Sequence, residues 1–233
     1  MCGTCGCGHD SRTIVLQRKV LAKNDDIAEG NREWLARRGV VMVNLMSSPG
    51  AGKTTLLEKM APAFTPHRRL CVIEGDQETA LDADRVRAAG CDVVQVNTGV
   101  GCHLDAGMVR AALAELDPAA ASLVLIENVG NLVCPALFDL GEAVRVVLAS
   151  VTEGGDKPLK YPHMFRQADL VLVSKIDLLP YVDFDLDRYA ADVRKVNSRA
   201  RLMALSAVTG EGMEQWCDWL TGRVKQPQPL GPG

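Results

Sequence analysis

Val40-Val41-Met42-Val43-Asn44-Leu45-Met46-Ser47-Ser48-Pro49-Gly50-Ala51-Gly52-Lys53-Thr54-Thr55-Leu56-Leu57-Glu58-Lys59-Met60 reads as an apolar strand, a glycine loop and the start of a helix in one stretch. That order is the context a phosphate-binding loop requires. Gly50 and Gly52 let backbone N–H groups approach phosphate oxygens, and the helix start adds the positive end of its dipole. Lys53 supplies a point charge for the outer phosphates, and Thr54 can ligate Mg²⁺. Ala51 and Thr55 complete the set of nucleotide-contacting positions. The first glycine of the usual pattern is Ser47, a mild departure because the Gly-Ala-Gly-Lys-Thr core is intact.

Outward from this stretch, six further apolar runs appear: Leu70 to Ile73, Val93 to Val96, Leu123 to Ile126, Val144 to Leu148, Leu170 to Val173 and Leu202 to Leu205. Runs without strict alternation are buried on both faces, and segments such as Asp105 to Leu116 and Tyr189 to Asn197 suit helices. The expected fold is therefore α/β, a P-loop NTPase with a mostly parallel sheet of about seven strands between helical layers and an N-terminal metal-binding arm. Its parts are a flexible Cys-rich arm over 1–14, a helical segment over 15–38, the P-loop domain over 39–225 and a Pro- and Gly-rich disordered tail over 226–233. Ligands gather at the carboxyl ends of such strands.

Two acids stand there, Asp76 after Val72-Ile73-Glu74-Gly75 and Glu127 after Leu125-Ile126. Each can hold Mg²⁺, directly or through water, or orient an attacking water. Val173-Ser174-Lys175-Ile176-Asp177 and Leu205-Ser206-Ala207 also follow strands, and they resemble the guanine-reading segments of GTPases. The resemblance implies that Lys175, Asp177, Ser206 and Ala207 contact the base, with Asp177 selecting GTP over ATP. Ser174 stands where those proteins have Asn, which keeps an ATP-dependent enzyme as an alternative.

A formal charge of -3 gives no basic field, so neither nucleic acid nor an anionic membrane is implied as a partner. No segment approaches the roughly 20 apolar residues of a membrane span, and the N-terminus lacks a secretory apolar stretch, so a cytoplasmic location is expected. In that compartment the eight cysteines are reduced and divide into ligands and core fillers. Cys2, Cys5 and Cys7, dense among glycines, suit a transition metal, with the terminal amine or His9 as a fourth donor. Tetrahedral coordination favours Zn²⁺ and a square-planar one favours Ni²⁺. Cys102, His103 and Cys134 follow strand-end loops and can converge on the nucleotide side. Cys71, Cys91 and Cys217 read as packing residues, and His67 and His163 have no assigned role.

Beyond single motifs, the chain resembles the HypB family of hydrogenase maturation GTPases, the nickel-incorporation factors of nickel-iron hydrogenases. The blocks that carry this are Cys2 to Gly8, Ser47 to Thr55, Ile73 to Arg85, Glu127 to Pro135 and Lys157 to Phe165. The resemblance implies a GTPase that cycles between GTP and GDP with Mg²⁺, forms a homodimer with nucleotide, and works with a small zinc-containing metallochaperone of the HypA type. The recipient would be the hydrogenase large subunit. It also implies nickel capture at Cys2, Cys5 and Cys7, and a weaker Ni²⁺ or Zn²⁺ site at Cys102, His103 and Cys134. Lys53, Asp76 and Glu127 are the expected catalytic set. Two other readings are a urease-type nickel GTPase and a nickel store whose nucleotide is structural.

Overall fold

The computed structural model describes residues 8–64, 70–76, 81–99 and 101–224, with side chains from Lys19 onward. Seven strands form one sheet: β1 (Val41–Ser47), β2 (Leu70–Asp76), β3 (Asp92–Asn97), β4 (Leu123–Glu127), β5 (Val144–Ser150), β6 (Leu170–Ser174) and β7 (Arg201–Ala204). All pairings are parallel and the order is β3-β2-β4-β1-β5-β6-β7. The chain runs outward from β1 to one side, returns through β4, and then builds the other side from β5. The carboxyl end of β1 is therefore the switch point of the sheet, where open α/β folds carry their ligands.

The helices are α1 (Gly8–Arg38), α2 (Lys53–Phe64), α3 (Leu81–Ala88), α4 (Ala106–Leu116), α5 (Lys157–Lys160), α6 (Pro162–Arg166), α7 (Leu186–Val196) and α8 (Met213–Val224). One face of the sheet presents Val43, Leu45, Val72, Leu125 and Leu172 to α2, α3 and α8. The other presents Met42, Ile73 and Ile126 to α1 and α4, and Val147, Val171 and Val173 to α6 and α7. Burial on both faces is why the strands read as unbroken apolar runs. All seven expected strands are present, as are the two expected helices, the first opened by Asp105, whose side chain accepts from Met108 N–H.

One boundary differs from the sequence reading. The segment expected as one helix or a pair is a single helix, and it begins at Gly8, inside the stretch assigned to the arm. Once past Gly8 the chain offers a Ser- and Asp-bearing first turn followed by good helix formers, so helix extends to its start. At its far end Gly39, at φ 63°, turns the chain into β1, with Gly39 N–H and Val40 N–H bonded to Ala36 and Leu35 carbonyls. Cys2, Cys5, Cys7 and the tail 226–233 lie outside the described residues, as does the side chain of His9. Among the described residues no helix is long and apolar enough to cross a membrane.

Candidate functional site

The loop after β1 is shaped by Gly50 at φ 76° and Gly52 at φ 100°, both in the left-handed region that side chains disfavour. Lys53 opens α2 and is buried, and its ammonium donates to Ser47 Oγ at 2.9 Å. The serine that replaces the motif's first glycine is thus the acceptor that holds the lysine. Burial lowers the Lys53 pKa, opposed first by Glu127.

Thr54 Oγ1 donates to Glu127 Oε1 at 2.8 Å, while Glu127 Oε2 is buried with no partner. Across the β2–β4 pairing Glu127 faces Glu74, whose Oε2 is also buried and unpartnered. Burial raises both carboxyls, and the Glu127 charge adds to the rise at Glu74, which reaches about 8. Asp76 lies two residues on along the same strand. Glu74 carried no role in the sequence reading, although its place one turn of the pleat before Asp76 puts it on the same face. Among the described residues no three carboxylates converge on one point. A hard cation here would take one or two of them with Thr54, the sparse ligand set that suits Mg²⁺ beside phosphates. The unpartnered oxygens fit that demand.

Glu153 is a second acid missing from the reading. It ends the turn after β5, accepts from Ser48 Oγ at 2.7 Å, keeps Oε1 buried without a partner, and is raised by burial. The signal was available, an acid just past an apolar strand beside the loop.

Beyond the loop, a cavity of about 290 Å³ is lined by Gly52, Thr55, Lys175, Asp177, Ala207 and Val208 among others. Asp177 Oδ1 is buried there with no partner. Lys175 takes φ 60° and donates from Nζ to the Gly50 carbonyl at 2.8 Å. Ser174, in the place of the family Asn, donates to the Ala51 carbonyl at 2.7 Å. Ser174 lines the cavity, and its hydroxyl ties β6 to the glycine loop. Ser206 is likewise turned to the backbone, accepting from Val208 and Thr209 N–H groups, so it shapes the loop that Ala207 presents.

A second cluster sits at the same edge of the sheet. One donor atom each from Cys102, His103 and Cys134 lies within 4.8 Å of the others, with the two sulfurs 2.7 Å apart. The hydrogen bond to Cys134 and then burial raise the Cys102 thiol, so ligation there must displace protons. Burial lowers His103, which keeps the neutral imidazole that metals bind. The ring stacks on Phe138 at 3.9 Å. Asn131 stands between the sulfur-bearing segments. Its Oδ1 accepts from Val133 and Cys134 N–H groups, and its Nδ2 reaches the Cys102 carbonyl at 3.5 Å.

The two clusters share backbone. A Cβ on Gly130 would lie 2.9 Å from Pro49 Cα, so the segment leading to Cys134 is pressed against the glycine loop. Asn128, next to Glu127, accepts from Leu104 N–H at 3.4 Å, and a Cβ on Gly75 would lie 2.9 Å from Leu104. The residue after His103 therefore touches the strands that carry Glu74, Asp76 and Glu127. Cys71 and Cys91 are buried and Cys217 is half-buried, as expected of packing residues, and burial lifts Cys91 and Cys217 to about 11.

Residues 41–204 match the family model for the CobW/HypB/UreG nucleotide-binding domain. The chain is 53% identical over 210 residues to the hydrogenase maturation factor HypB of Azotobacter chroococcum mcd 1, covering 90% of this chain and 69% of that protein. The hydrogenase/urease maturation factor HypB of Helicobacter hepaticus is 43% identical, covering 93% and 90%. Among solved structures, Archaeoglobus fulgidus HypB superposes with a TM-score of 0.82 at 42% identity, covering 88% of this chain and 100% of that one. Helicobacter pylori HypB in complex with nickel gives 0.83 at 38%, covering 91% and 99%. Signal recognition particle 54 kDa protein from Aeropyrum pernix, at 15% identity and 0.53, shares the fold.

Proposed function

The chain belongs to the HypB family of hydrogenase maturation factors, and on that premise we propose that it hydrolyses GTP to control a nickel site. The nickel is destined for the large subunit of a nickel-iron hydrogenase. Guanine occupies the cavity beside Asp177, whose unpartnered carboxylate accepts from the two donors on one edge of that base. Lys175 and Ser174 hold the glycine loop against this cavity. The loop N–H groups and Lys53 hold the phosphates, and Lys53 exchanges its bond to Ser47 for the outer phosphate oxygens.

Thr54, Glu127 and Asp76 would hold Mg²⁺, which when bound neutralises charge on the phosphate oxygens. Asp76 and Glu127 also orient the attacking water, whose oxygen bonds to the γ-phosphorus as the β–γ bridging bond to that phosphorus breaks, giving GDP and phosphate with the water's protons passing to phosphate oxygen and solvent. Cys102, His103 and Cys134 bind the cargo ion, Ni²⁺ or Zn²⁺, through two thiolates and an imidazole. Upstream, Cys2, Cys5 and Cys7 capture nickel. A homodimer formed with nucleotide, and a HypA-type zinc metallochaperone, are the partners in this reading.

The observation that carries the reading is the shared backbone: Gly130 against Pro49, with Asn131 between Cys134 and Cys102. A change in the glycine loop displaces the segment on which the metal ligands depend, the kind of local event that switches a packed element. The test is GTP turnover alongside nickel release. Lys53→Ala should abolish both hydrolysis and GTP-dependent release, and release that survives without hydrolysis would reject the coupling. The Helicobacter hepaticus relative's name supports a second reading in which the same chain also serves a urease. Delivery to apo-urease in place of the apo-hydrogenase subunit separates the two.

A further inference from the structure

Among the described side chains of α1, the buried stripe is Asn24, Ala28, Asn31 and Leu35, spaced as one face of a helix. A helix that merely covered a sheet would present apolar groups at these positions. Here two of the four are asparagines, 6% and 2% exposed, and each is bonded to two separate segments of the chain.

Asn24 Oδ1 accepts from Ala106 N–H at 2.9 Å, and its Nδ2 donates to the Asp139 carbonyl at 2.7 Å. Asn31 Nδ2 donates to the Ala106 carbonyl at 2.9 Å and to the Leu140 carbonyl at 3.1 Å. Arg32 grips the Asp139 carboxylate with both oxygens at 3.0 and 2.9 Å. Ala106 lies just beyond His103, and Asp139 directly follows Phe138, the ring stacked on that histidine. Each asparagine thus spans from the segment carrying Cys102 and His103 to the segment carrying Cys134. Contact with the helix backbone is close as well, since a Cβ on Gly141, at φ 85°, would lie 2.5 Å from the Ala28 carbonyl.

We propose that Asn24 and Asn31 are positioning residues for the Cys102, His103 and Cys134 site. Without touching the ion, they make α1 a brace that fixes the spacing of its ligand-bearing segments. The proposal rests on the reading of those three side chains as metal ligands. Supporting partners of this kind govern metal affinity and geometry because ligand atoms held at the wrong spacing bind only after rearrangement. The asparagine side chain suits the task because one amide both donates and accepts: Asn24 satisfies an N–H on one segment and a carbonyl on the other, while Asn31 donates to a carbonyl on each and accepts from Arg110 Nε.

The experiment uses the full chain with Cys2, Cys5 and Cys7 replaced by Ser, titrated with Co²⁺. Its ligand-field and thiolate charge-transfer bands report coordination geometry. Asn24→Ala and Asn31→Ala should weaken Co²⁺ binding by roughly 10- to 100-fold and move the ligand-field bands. Arg32→Gln, at a half-exposed position, should act in the same direction by about two- to fivefold. Cys134→Ser in the same background is the control. If it leaves Co²⁺ binding unchanged, the ligand reading fails and the brace with it. If it removes binding while the Asn24, Asn31 and Arg32 variants keep the parent affinity and spectrum, the ligand reading stands and the brace is wrong. Should the two asparagine variants not fold, Arg32→Gln decides alone, and an unchanged spectrum and affinity there overturn the proposal.

Discussion

The phosphate loop and the thiol–imidazole cluster sit at one edge of one sheet, yet they are built in opposite ways. The loop is a single stretch from Ser47 to Thr55 whose shape follows from two left-handed glycines and the first turn of α2. The cluster draws on the turn after β3 and the segment after β4, and is held from outside by α1 through hydrogen bonds that span 75 to 115 residues. A site made locally is fixed wherever its stretch folds. One assembled from distant segments can be retuned by moving any of them, which a metal-releasing switch needs and a phosphate cradle does not.

The largest break in this comparison is expected at the local site. Lys53→Ala removes the buried cation that faces Glu127, and GTP turnover should fall roughly 10³-fold or more, with the fold intact by thermal melting. At the assembled site, Cys134→Ser should cost about 100-fold in Ni²⁺ affinity measured with the N-terminal thiols removed, because only two strong donors remain. Asp177→Asn should reduce the preference for GTP over ATP by roughly 10- to 100-fold in competition binding, the range for a lost hydrogen bond to a charged group. Retained preference would move base reading elsewhere in the cavity.

A smaller effect sharpens the electrostatics of the shared edge. The Glu74 pKa is raised from 4.5 to about 8 by burial and by the Glu127 charge, so the folded state holds a proton that the unfolded state has lost. Its contribution to stability is full below pH 4.5 and is lost as pH rises to about 8. Nucleotide-free protein should therefore melt at lower temperature at pH 9 than at pH 6. Glu74→Gln should flatten that slope and stabilise the pH 9 form by roughly 1–3 kcal/mol in urea titration. An unchanged slope would place the Glu74 carboxyl in water.

The same contrast explains what could be read from the sequence. Seven strands were legible because each is an apolar run buried on both faces, and the loop was legible because its chemistry is contiguous. Cys102, His103 and Cys134 were legible as residues that follow strands at one edge. Their support was not: Asn24 and Asn31 look like polar positions of a solvated helix, and only the packed chain reveals that they face Ala106, Asp139 and Leu140. Ser206 was read as a base contact and Ser174 as a departure from the family Asn, and both hydroxyls bond to backbone, which in sequence is indistinguishable from facing a ligand. Glu74 went unassigned because its pairing with Glu127 depends on the register across β2 and β4, whereas Glu153 was legible as an acid just past a strand and only its bond from Ser48 was not.

The most direct test of the central claim is the Ni²⁺ affinity of the chain lacking the Cys2, Cys5 and Cys7 thiols, measured once with GDP and once with a non-hydrolysable GTP analogue. The contact of Gly130 with Pro49 and the bonds of Asn131 predict two different affinities, separated by about fivefold or more. Equal affinities in the two nucleotide states would contradict the account.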